Sequence, residues 1–227
     1  MRVHARLAVR LHVEHHGSGP PVVLTHGGGS SSGTWREQVT ALATSHRVTV
    51  WDLPGHGRSE RPDDPSAYTR DAVLAHLEAI VEEAGAGGPV ALVGHSLGGY
   101  LSLALAIVRP ELVRTIVAVA TGPGFRDEES RRNWNDGIVA WGAGLGLPAH
   151  VAAVAAQPDA LVIDRLGEIT APVLVVVGSR DRRFHAATGY FERKLGARAL
   201  VVDGAGHHVH ETHAAEINAA ILHHIVL

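Results

Sequence analysis

The chain has no cysteine, which removes disulfides, thiolate metal sites and a cysteine nucleophile from consideration. A reducing compartment suits such a composition. A cation surplus is also missing: 20 Lys and Arg stand against 23 Asp and Glu, a net charge of −3, without the basic footprint that nucleic acid demands. Nor is there a long unbroken apolar run. The best candidate, "GIVAWGAGLGLPAHVAAVAA", is interrupted by Pro148 and His150 and is rich in small residues, so no membrane-spanning helix is expected. The opening "MRVHARLAVRLHVEHHG" carries charges and histidines where a signal peptide needs an apolar core. A cytoplasmic protein with neither a membrane nor a nucleic-acid partner is therefore expected.

What is present is an ordinary globular composition, 45% apolar and 19% charged over 227 residues, enough for one domain spanning 1–227. Apolar runs of strand character alternate with segments of helical spacing. Alternation in "RLAVRLHVEHHG" predicts two early strands, and "PPVVLTHGGG" predicts a buried strand ending at glycines. A helix in "TWREQVTALATS" precedes the strand of "HRVTVWDLPGHG". "TRDAVLAHLEAIVEEAG" has apolar residues at three- and four-residue steps, with Gly85 as the expected stop. Strands in "PVALVGHS", "RTIVAVATG", "APVLVVVGSRD" and "ARALVVDG" follow, with helices in "LGGYLSLALAIVRP", "FHAATGYFERKLG" and "ETHAAEINAAILHHI". Such alternation implies a mostly parallel sheet with helices on both faces. Residues 125–165, rich in Ala, Gly and Trp, break the pattern where a strand ends, as a short inserted cap over the ligand crevice would.

"VALVGHSLGGYLSLAL" contains Gly94-His95-Ser96-Leu97-Gly98, a G-x-S-x-G pattern between a predicted strand and a predicted helix. A nucleophilic serine needs a sharp turn that projects its hydroxyl. Flanking glycines relieve the crowding, and the helix behind supplies free amides beside a developing oxyanion. The bland alternative is a structural serine in a glycine-rich turn. A phosphate loop fits worse, because the Rossmann spacing and the P-loop lysine are both absent.

Five segments in order, "VVLTHGGG", "VWDLPGHGRSERP", "LVGHSLGG", "VLVVVGSRD" and "VDGAGHHVH", resemble the oxyanion loop, fourth-strand turn, nucleophile elbow, acid turn and histidine loop of the α/β-hydrolase superfamily. The likeness is to its compact, cap-bearing branch. It implies an eight-stranded sheet and a catalytic set of Ser96, Asp181 and His207, in the chain order serine, acid, histidine. It also implies an oxyanion hole from the backbone amides of Leu97 and Gly28, with Gly29 as the alternative in a run of three glycines. Asp203, in the histidine loop itself, competes with Asp181. His26 and His95 read as structural, ordering their loops.

"GAGHHVHETH" holds four histidines, His207, His208, His210 and His213. His210 and His213 are three apart and, with Glu211 and Glu216 nearby, could form a metal site, but the expectation is no metal and no cofactor. Trp134 and Trp141 could line a substrate pocket or equally pin the cap to the core. Arg180, Arg182 and Arg183 could recognise a carboxylate, but read better as a solvated charge cluster. The expected activity is hydrolysis of a small carboxylic ester or lactone (EC 3.1.1) through an acyl-enzyme on Ser96. Two alternatives remain: carbon-carbon cleavage of a diketone or cyclic acid by the same groups, and a ligand receptor with little turnover. Oligomeric state is not legible.

Overall fold

The structure, a computed structural model, describes residues 9–226. Its strands are β1 (Val13–His16), β2 (Pro21–Thr25), β3 (Arg47–Trp51), β4 (Val90–His95), β5 (Val113–Val119), β6 (Val173–Gly178) and β7 (Arg198–Val202). They form one sheet in the order β1-β3-β2-β4-β5-β6-β7. Only β1 is antiparallel to its neighbour. The expected eight strands are therefore seven among the described residues. Of the two strands predicted within residues 6–17, the second is β1, while residues 6–8 lie outside the described residues. Residues 10 and 12 do not extend β1 because only one of the two bonds of the next β1–β3 pair forms. Arg10 and His12 carbonyls accept the amides of Glu60 and Asp52, at 2.9 and 3.0 Å, and the His12 amide goes to Ser59 Oγ.

The central strands are buried on both faces, and their alternation divides them between two cores. Val90 and Leu92 of β4 and Val173 and Val175 of β6 pack to one side; Ala91, Val93, Leu174 and Val176 pack to the other. The helices are α1 (Arg36–Leu42), α2 (Arg70–Gly85), α3 (Leu97–Val108), α4 (Glu128–Gly144), α5 (Ala149–Ala152), α6 (Leu161–Arg165), α7 (Arg182–Leu195), α8 (Val209–Thr212) and α9 (Ala214–Ile225). The first core receives Leu77 of α2, Leu101 and Leu105 of α3 and Phe191 of α7. Leu42 of α1 and Ile217, Ile221 and Ile225 of α9 join Trp35 in the second.

One helix end agrees with expectation and one does not. Thr69 caps the start of α2 by accepting the Ala72 amide at 3.3 Å, and the helix ends at Gly85, as expected. Ala86 takes the left-handed turn at φ +47°. The single helix predicted over 211–225 is two, broken at His213, whose φ of −127° leaves the helical region. Helices α4, α5 and α6 fall between β5 and β6, as an insert into one crossover.

Candidate active site

Ser96 joins β4 to α3 at φ +51°, ψ −112°. A non-glycine residue there is strained by about 1–3 kcal/mol, so the surroundings must hold it. The Ser96 amide donates to Val119 O at 2.8 Å, and its carbonyl accepts Thr121 Oγ1 at 2.7 Å and the Tyr100 amide at 3.1 Å. The flanking glycines are a steric necessity. A Cβ on Gly94 would overlap the Gly98 backbone, and one on Gly98 would overlap the Thr25 carbonyl.

Asp181 follows β6 and His207 follows β7, so parallel pairing of neighbouring strands delivers both to one end of the sheet. The two loops run in contact: Ser179 and Arg180 amides donate to Val202 O and Ala205 O, each at 2.9 Å. Gly178 permits this, because a Cβ there would strike the Ala205 and Gly206 backbones. Asp181 is buried, and its Oδ2 lies 2.7 Å from His207 Nδ1. A carboxylate at that distance fixes the proton on Nδ1 and leaves Nε2 with a free lone pair. Phe184 stacks on the imidazole at 5.1 Å between centroids. Asp203 accepts from Ser179 Oγ at 3.2 Å and does not reach His207.

The loop after β2 brings Gly28 to the same place, and its hydrogen bonds separate the three glycines. The Gly29 amide donates to His56 Nε2 at 3.0 Å, whose Nδ1–H is given to Pro54 O at 2.9 Å. Gly28 and Leu97 amides have no partner among the described residues. His26 holds the loop from below, donating from Nδ1 to Gly27 O at 2.7 Å and accepting the Leu53 amide at 3.0 Å. Burial, with His56 adjacent, pushes the His26 imidazole down to about 4, and burial lowers that of His56. Both are neutral near pH 7, as their acceptor roles require.

Ser96, Leu97, Gly28, Asp181 and His207 all line one cavity of about 560 Å³. Trp134 and Trp141 line it too, and they differ. Trp134 is partly buried, with Nε1 donating to Ala155 O at 3.0 Å, so it also ties α4 to the turn after α5. Trp141 is 42% exposed and overhangs Gly28 and Gly29. Of the three arginines, Arg183 reaches the cavity wall rather than bulk solvent alone.

The histidine cluster resolves into distinct roles. His95 is fully enclosed and donates from Nε2 to the carbonyl of His207 at 3.1 Å. Burial, then neighbouring His210, His207 and His208, hold it well below the ordinary imidazole range. His210 is buried between Trp35 and His95, at 4.6 and 4.3 Å between centroids, with Nε2 bonded to Thr34 Oγ1 at 2.8 Å. His208 pairs with Glu211 at 3.0 Å, and His213 Nδ1 meets Thr212 Oγ1 at 2.9 Å. No group of three or more His, Asp or Glu side chains among the described residues is arranged to hold a metal ion. The contacts of His56 and His95 were not legible in the sequence. A histidine inside each of two glycine-rich turns was the only signal.

A family model described as the alpha/beta hydrolase fold matches residues 20–150, and the chain belongs to that family. It is 36% identical over 108 residues, 46% of this chain and 37% of the relative, to 2-hydroxy-6-oxo-6-(2'-aminophenyl)hexa-2,4-dienoic acid hydrolase of Metapseudomonas resinovorans. It is 37% identical over 118 residues, 51% of this chain and 44% of the relative, to pimeloyl-[acyl-carrier protein] methyl ester esterase of Aeromonas hydrophila. The matched segments thus span less than half the length of either relative. The enol-lactonase of Burkholderia xenovorans superposes with a TM-score of 0.79 at 19% identity, over 96% of this chain and 97% of that one, and shares the fold. No helix among the described residues is long and apolar enough to cross a membrane.

Proposed function

We propose that the protein is a serine hydrolase that cleaves a small carboxylic ester or lactone by two-step acyl transfer, with the insert as a cap on a single domain. The observation that carries this is the 2.7 Å contact between Asp181 and His207 in the cavity that Ser96 also lines. Ser96 Oγ attacks the carbonyl carbon and its proton passes to His207 Nε2. Asp181 holds the ring in the required tautomer and stabilises the imidazolium. Negative charge growing on the carbonyl oxygen meets the free amides of Leu97 and Gly28, each typically contributing about 3 kcal/mol to such a transition state. Collapse of the tetrahedral intermediate breaks the bond to the leaving oxygen, which takes the proton from His207. Water then adds to the acyl-enzyme by the same route and releases the acid and Ser96.

The bond to Gly29 favours Gly28 as the second donor, since the Gly29 amide is already given to His56. Similarity to the dienoic acid hydrolase keeps a second reading in play, cleavage of a carbon-carbon bond beside a ketone, which would use the same groups. The lack of cysteine is consistent with work in the cytoplasm. A fluorophosphonate probe tests the nucleophile: wild type labels on Ser96, and Ser96→Ala and His207→Ala lose labelling. Unlabelled wild type, or labelling that survives Ser96→Ala, overturns the assignment. Turnover across a panel of esters, lactones and diketones then separates the two readings by which bond is cut.

A further inference from the structure

The cavity that Ser96 lines also carries an uncompensated charge. Among the described residues lining the cavity there is one carboxylate, Asp181, committed to His207, and one arginine, Arg183. Arg183 forms no ion pair with a described carboxylate, and its guanidinium carbon stands 5.3 Å from the centroid of the Trp134 ring. It sits in the first turn of α7, which has no acidic residue. A helix dipole disfavours a cation at that end, so the position is not explained by the stability of α7.

A second donor lines the same cavity. Gln157 is 8% exposed and is clamped by Asn135, which donates to its carbonyl at 3.1 Å and accepts its amide at 2.8 Å. Gln157 Oε1 accepts the Phe125 amide at 3.2 Å. That contact orients the carboxamide and leaves Nε2 without a partner among the described residues. Phe125 packs on Trp134 at 5.7 Å between centroids, so the pair Phe125–Gln157 and Arg183 adjoin the same indole. Arg183 is exposed at the cavity wall and Gln157 is buried beside it, so both present N–H donors to the cavity with no acceptor among the described residues taking them.

We propose that this wall is a carboxylate subsite, and that the ester or lactone cleaved at Ser96 carries a second, ionised carboxyl group on its acyl chain, received by Arg183 and Gln157 Nε2. This rests on the serine-hydrolase reading. The planar guanidinium can bind a carboxylate through two N–H groups while keeping its face on Trp134, which an ammonium cannot do.

The test compares mono-4-nitrophenyl adipate with 4-nitrophenyl hexanoate, which differ by a carboxylate in place of the terminal methyl. Wild type has the higher kcat/KM on the adipate ester. The adipate-to-hexanoate ratio falls about 10- to 100-fold in Arg183→Gln and in Gln157→Glu, which keeps the acceptor for Phe125. Arg183→Lys recovers only part of it. A ratio that favours hexanoate in wild type, or that neither variant changes, overturns the subsite. Binding is followed separately in Ser96→Ala, by quenching of tryptophan fluorescence on titration with adipate and with hexanoate. Saturable, Arg183-dependent adipate binding beside a failed fluorophosphonate label would overturn the hydrolase reading and keep the anion site. Labelling without adipate binding would do the reverse.

Discussion

At the scale of single residues, the site depends on side chains that never meet the reacting bond. His56 accepts the Gly29 amide at 3.0 Å and so holds the loop that presents Gly28. Replacing it with Ala leaves Gly29 free to rotate and shifts the Gly28 amide, the proposed oxyanion donor. We expect kcat in His56→Ala to fall about 10- to 100-fold with KM little changed, the pattern of a contact made in the transition state. Steady-state kinetics on any turned-over ester checks this; a rise in KM at constant kcat would contradict it. His95 acts by a similar route, donating to the His207 carbonyl. Ser96, Asp181, His207 and Leu97 could be named as candidates from motif and order, and the fold brings all four to one cavity. His56 and Gln157 could not. Their partners lie 27 and 32 positions away, and nothing near them in sequence declares the contact.

Elements were legible where local pattern and packing agree. β4 and β6 are continuous apolar runs because both faces are covered, and α2 follows its predicted boundaries. Ends were less legible, since a tertiary contact can move them. Gly85 is the last residue of α2, as expected, but the left-handed turn falls on the next residue, forcing exposed Ala86 to φ +47°. Glycine relieves that strain and gives back part of the gain as unfolded-state entropy. Ala86→Gly should therefore stabilise the protein by about 0.5–1 kcal/mol, read as a higher midpoint in urea with an unchanged slope. That no further strand forms among the described residues before β1 has a comparable cause. Residues 10 and 12 have strand-like alternation, but Ser59 Oγ takes the His12 amide and the ladder to β3 stops there.

For the whole molecule, buried neutral histidines make stability depend on pH. Burial holds His26 and His210 at about 4, against about 6.5 in the unfolded chain. Between those values the unfolded state binds more protons, so stability is full above pH 6.5, declines as pH falls and stops declining from this source near pH 4. Each group contributes on the order of 3 kcal/mol to that decline. His210→Phe keeps the packing against Trp35 and removes one titration. Urea midpoints at pH 7.5 and pH 5 should differ less in this variant than in wild type, and an equal difference would exclude His210 as a source.

Helices α4, α5 and α6 leave the sheet after β5 and return at β6, two strands paired side by side. Both ends of the insert are therefore moored to adjacent points on a sheet that does not need it to close. Trp134, Trp141 and Gln157 belong to it, whereas Ser96, Gly28, Asp181 and His207 do not. An insert joined this way is a cassette: it can be exchanged, lengthened or redesigned as one piece, so that selectivity can drift while the proposed catalytic groups stay in register.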